Sequence, residues 1–121
     1  MLSLDDLIGK QYRRGSLGPG EFDCYSLVAE VRKRAGIYTP HYVTPTSSRD
    51  QGDLIAGEIA QHIVLEKPQP FCIVAIRMVT GIVNHIGCVL ERCTTFIHIL
   101  KHERVVIERL YSPIWKNRIA G

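Results

Sequence analysis

The hydrophobic pattern of this chain changes period at Pro68 and Pro70, and that change limits the folds open to it. Beyond the prolines lie four runs, residues 71–77, 84–90, 94–100 and 104–110, rich in β-branched and apolar residues. Short gaps between such runs favour an antiparallel meander. Pro113 then permits a short turn of helix carrying Trp115. Ahead of the prolines the spacing is helical. Helices first and strands afterwards describe an α+β protein, with N-terminal helices packed on one antiparallel sheet.

The N-terminal half is punctuated by clear boundaries. Residues 3–8 read as a short helix, with Ser3 as cap, acids in the first turn and Gly9 as stop. Residues 10–14 are a short polar stretch. Gly18, Pro19 and Gly20 break regular structure. Asp23 then caps a helix over residues 24–35, where Leu27, Val28, Val31 and Ala35 share a face. Arg32, Lys33 and Arg34 suit its C-terminal dipole, and Gly36 ends it. Residues 38–48, with Pro40 and Pro45, form an extended loop. The capping-box spacing of Ser48 and Gln51 opens a weaker helix over about 51–61.

That frame puts Cys24 in the first turn of a helix. Free N–H groups and the dipole there favour an anion, so the thiol is expected to ionise more readily than a free one. The competing reading is a packing cysteine, since Cys24 lies three residues before Leu27 on the apolar face.

Size and composition narrow the field. A chain of 121 residues, 45% apolar and 22% charged, is read as one domain spanning 1–121, with an ordinary core. The net charge of +3 is mild and the basic residues are scattered, which argues against nucleic acid. No apolar run reaches the length of a membrane span, and the acidic start lacks the features of a signal peptide. The expectation is a protein made in the cytoplasm. Its four cysteines, Cys24, Cys72, Cys88 and Cys93, read as reduced thiols, with Cys72 and Cys88 in the core.

Two histidines lie in the strand runs. If the turn around Arg92 and Cys93 has an even length, facing residue numbers sum to about 185. Gly87 then faces His98, Val89 faces Phe96, and His85 sits diagonally from His98 on the same face. An odd turn separates the rings unless a bulge corrects the count. One imidazole near a thiol, with a second polar group orienting the first, is what an activated cysteine needs. Taken singly, each ring reads better as a partly buried sheet residue with a backbone partner; two on one face together with a helix-start cysteine weaken that reading. A zinc site at His85, Cys88, Cys93 and His98 has suitable ligand types, but strand alternation points His85 and Cys88 to opposite faces. His41 and His62 are expected to be solvated, and His102 to sit in a turn.

With these residues assembled, the chain resembles the NlpC/P60 family of papain-like cysteine peptidases. The similarity rests on Phe22-Asp-Cys-Tyr-Ser-Leu-Val28 for the nucleophile and Asn84-His-Ile-Gly87 for the base. Phe96-Ile-His98 corresponds to the third polar residue, Trp115-Lys-Asn-Arg118 to a closing aromatic–basic segment, and Tyr12 to an active-site tyrosine. The resemblance implies a papain-like fold that hydrolyses peptide bonds in bacterial cell-wall stem peptides. It implies Cys24 as nucleophile, His85 as general base then acid, and His98 as its orienting partner. The Cys24 N–H and the Tyr12 hydroxyl would face the oxyanion, and no metal or organic cofactor is called for. Tyr25-Ser26 stands where Ser-Gly is usual, and Phe71-Cys72 where Gly-Asp is common. The histidines, thirteen positions apart, are one further apart than the family pattern. The short form without signal or wall-binding module, and the Cys24-Tyr-Ser variant, look more like phage or prophage tail-associated members, with phage tail proteins as expected partners. The departures leave a second expectation open, a non-catalytic tail-assembly or wall-binding module.

Overall fold

The computed structural model describes residues 2–40, 47–61, 65–79 and 82–121. In chain order the elements are β1 (Gln11–Tyr12), β2 (Glu21–Phe22), α1 (Cys24–Arg34), α2 (Ser48–Gln61), β3 (Ile73–Val79), β4 (Ile82–Val89), β5 (Thr95–His98), β6 (Val106–Arg109) and α3 (Pro113–Lys116). The expected α+β architecture is the one observed: β3–β4–β5–β6 form an antiparallel meander, and β1 and β2 make a small parallel pair. No helix among the described residues is long and apolar enough to cross a membrane.

Strand alternation divides the core in two. On one side Ala75, Ile86, Cys88 and Ile97 pack with Leu27, Val28 and Val31 of α1 and with Ile55 of α2. On the other, Val74, Ile76, Val89 and Phe96 pack with Leu110 and with Trp115 of α3. Leu27, Val28 and Val31 are completely or almost completely buried. Each such side chain stabilises the fold by roughly 1.5–3 kcal/mol.

α1 forms where its boundary signals place it. The Asp23 carboxylate accepts from the Ser26 N–H, and the Ser26 hydroxyl accepts from the Asp23 N–H, a complete capping box. At the other end Gly36 has φ +82, and the amides of Gly36 and Ile37 return to the carbonyls of Lys33 and Arg32. This is a Schellman closure, which requires a left-handed residue that glycine adopts without strain.

Three expectations are corrected. Residues 5–9 form turns rather than a helix. So short a segment cannot offset the cost of helix nucleation. It is held instead by buried Leu4 and Leu7, and by Asp6, which receives two hydrogen bonds from Arg34 at 2.6 and 2.8 Å. The polar stretch 10–14 contains β1. And α2 begins earlier than expected, because Ser47 rather than Ser48 caps it, its hydroxyl accepting from the Asp50 N–H at 3.0 Å. His41, His62 and most of the 38–48 loop lie outside the described residues.

Candidate active site

The turn on which the histidine geometry depended has an even length. The Leu90 N–H donates to the Thr95 carbonyl across the four-residue loop 91–94, with Cys93 at φ +60. Cys88 faces Ile97 and Val89 faces Phe96, the expected register. His85 and His98 therefore project from one face, and His85 Nε2 lies 2.9 Å from His98 Nδ1. Gly87 makes this possible. A Cβ there would stand 2.9 Å from the Phe96 ring and 3.2 Å from the His98 Cβ.

The pair is buried and braced. His85 is 5% exposed and His98 not at all. The His98 ring packs against Phe96 and meets Trp115 edge-on, with centroids 4.9 Å apart in the latter pair. Beside His85 the β3–β4 register slips: Ile76 faces His85, yet Arg77 faces Val83, so Asn84 is an extra residue. The Asn84 side-chain oxygen accepts from the Met78 N–H, satisfying an amide at this irregularity. Bulges of this kind re-aim neighbouring side chains.

Cys24 approaches from the α1 side. Ala75 uses its N–H and C=O on the C-terminal residues Gly121 and Ala120, so in the Ala75–Ile86 pair the Ile86 amide points toward β5. β5 pairs with β4 at Cys88 and Val89 and has parted from it by Ile86. The Cys24 sulfur packs in the core cluster that includes Ile86, whose backbone N–H acts to lower the thiol pKa, one residue along β4 from His85. Tyr12 and Tyr25 lie close enough that their phenols are coupled electrostatically to the thiol. Cys24 and Tyr12 thus lie near each other where α1 and β1 meet, and His85 and His98 form a hydrogen-bonded pair across β4 and β5.

The electrostatics differ from the expectation of an easily ionised thiol. Burial, reinforced by the Asp23 carboxylate, pushes the Cys24 thiol up to about 12, against the opposing N–H groups of Ile86, Cys24 and Tyr25. Helix-start amides act on the sulfur, but desolvation outweighs them. Burial, with the neighbouring His98, takes His85 down to about 3. Both groups rest uncharged. Burial also lowers His98, partly offset by a carboxylate on β6: Glu108 Oε2 lies 2.6 Å from His98 Nε2.

Glu108 was not among the residues singled out from sequence. Its signal was present, since Phe96 faces Glu108, which puts Glu108 diagonal to His98 on the same face. Tyr25 and Ser26, the departures after the cysteine, are both buried, and Ser26 completes the helix cap. Cys88 points into the α1-side core, away from the histidine face, with its thiol toward the Phe71 and Val89 carbonyls. Among the described residues no three His, Cys, Asp or Glu side chains group as a metal site.

Comparison with known proteins finds the same fold. A crystal structure of a lipoprotein-like NLP/P60 family protein from Staphylococcus aureus matches with a TM-score of 0.58 and 26% identity, over 95% of this chain and 36% of that one. NlpC1 and NlpC2 from Trichomonas vaginalis each match with a TM-score of 0.57 and 21% identity, over 88% of this chain and 36% and 38% of theirs. The chain thus spans little more than a third of the length of these relatives. No curated protein matches it. The NlpC/P60 family model matches residues 9–121, nearly the whole chain, and the protein belongs to the NlpC/P60 family.

Proposed function

We propose that this domain is a cysteine peptidase or amidase that cleaves stem peptides of the bacterial cell wall. Proteins of this family are generally cysteine peptidases or amidases. The observation that carries the reading is the buried, hydrogen-bonded His85–His98 pair, with Cys24 at the start of α1 packed in the same core cluster as Ile86, the residue next to His85.

In this mechanism Cys24 adds to the scissile carbonyl carbon while its proton passes to His85. Because both groups rest neutral, the transfer accompanies attack rather than preceding it. The Cys24 N–H and the Tyr12 hydroxyl face the developing oxyanion. Collapse of the tetrahedral adduct expels the amine, which takes the proton from His85 and leaves a thioester on Cys24. Water, deprotonated by His85, then releases the acid. His98 holds the imidazole in place throughout.

Digesting purified peptidoglycan with the wild-type protein and with Cys24→Ala, followed by mass analysis, tests the proposal. New peptide fragments are expected with the wild type alone, and identical profiles would overturn it. The 5% exposure and raised pKa of Cys24 favour a second reading, a module that binds wall peptide without cleaving it. In that case both proteins co-sediment with peptidoglycan equally and neither releases fragments.

A further inference from the structure

The functional reading uses two histidines, yet the chain of hydrogen bonds continues past them. His85 Nε2, His98 Nδ1, His98 Nε2 and Glu108 Oε2 follow in series, with separations of 2.9 Å between the rings and 2.6 Å to the carboxylate. A neutral imidazole has one N–H and one bare nitrogen, and which is which is set by its partners. A carboxylate can only accept. We propose that Glu108 is a positioning residue that sets the tautomers of both histidines, leaving His85 with Nδ1 as its basic atom.

Each step follows from donor and acceptor chemistry. Glu108 accepts from His98, so the His98 proton sits on Nε2 and its Nδ1 is bare. That bare nitrogen accepts from His85, so the His85 proton also sits on Nε2. The lone pair of His85 is then on Nδ1, the nitrogen not engaged by His98. With the opposite tautomer at His98, its Nδ1–H would donate to His85 Nε2, and the proton of His85 would occupy Nδ1. The ring would then hold no free basic nitrogen. When His85 takes up a proton at Nδ1, both existing hydrogen bonds remain in place, and the carboxylate lies at the far end of the chain to balance the new charge. No proton needs to reach Glu108.

Glu108 is suited to this without being part of the core. It stands on β6 at the edge of the sheet with its side chain 35% exposed, while the ring that it contacts is fully buried. The packing of Phe96 and Trp115 around His98 fixes the ring plane but does not choose between its nitrogens. The carboxylate makes that choice.

The inference rests on His85 being the base, and its test separates the two claims. Long-range proton–nitrogen NMR on ¹⁵N-labelled protein at neutral pH reads the tautomer of each ring directly, whether or not the protein is an enzyme. In the wild type both rings are expected to carry their proton on Nε2. Glu108→Ala is expected to give a mixture of tautomers at His98. It should also lower kcat on solubilised stem peptides by about tenfold or more, the loss of one charge-assisted hydrogen bond, with little change in KM. Glu108→Asp is expected to restore part of both. A wild-type His98 protonated on Nδ1 overturns the inference without any variant. So does a Glu108→Ala protein with unchanged tautomers and kcat. If the tautomers shift as expected while Cys24→Ala digests wall peptide as well as the wild type, the positioning role stands and the proposed peptidase mechanism falls.

Discussion

His85 is a buried imidazole kept neutral by its surroundings, and that has a cost in acid. Its folded pKa of about 3 lies below its ordinary 6.5. Between those values the unfolded chain binds a proton that the folded chain does not, so stability falls as pH drops through this window. The slope from this one group is on the order of 1.4 kcal/mol per pH unit. Urea midpoints followed from about pH 7 to pH 4 should fall for the wild type and fall less steeply for His85→Gln. Equal slopes would mean that the ring is not desolvated as described. The same burial explains why the ready ionisation expected of a helix-start thiol is not met at position 24, where the packing alternative describes the surroundings better. A helix start is visible in Asp23, Ser26 and the glycines around them, whereas the walls that desolvate the sulfur come from distant parts of the chain.

At the level of elements, the turns decide what the strands can do. His102 sits in the exposed turn before β6 at φ +65, a region that costs a non-glycine residue free energy. His102→Gly should therefore raise stability by about 0.5–1 kcal/mol in a denaturant titration, since the side chain is exposed and nothing in the core is lost. The four-residue loop from Glu91 to Thr94 has the larger consequence, because its even count puts His85 and His98 on one face. Strand spacing gave that register only on the condition of an even turn, which local sequence did not decide; the capped helix of Cys24, the order of the meander and the short helix of Trp115 were legible outright. Less legible were the features that depend on a third partner. Glu108 matters only once β6 is aligned on β5, and Asn84 only once the β3–β4 slip is known. The first segment failed for a related reason: Leu4 and Leu7 are spaced for a helix, but their burial is satisfied by a turn.

Across the whole molecule, the outer edge of β3 is covered by the C-terminal residues. Ala75 donates to Gly121, Ala120 donates to Ala75, and Arg77 donates to Arg118. Removing residues 118–121 should lower the melting temperature, each lost hydrogen bond contributing about 0.5–1.5 kcal/mol, and should promote self-association through the bared edge. Light scattering alongside a thermal melt would check both effects, and an unchanged melt would show that the edge needs no cover. The parting of β4 from β5 at Ile86 has a different consequence. The sulfur of Cys24 belongs to the α1-side core, while the rings of His85 and His98 emerge on the side of Trp115. The thiol and the ring pair thus sit in two separately packed parts of the core. Substitutions around Trp115 should therefore disturb the imidazoles before the thiol, and substitutions in the buried face of α1 the thiol before the imidazoles.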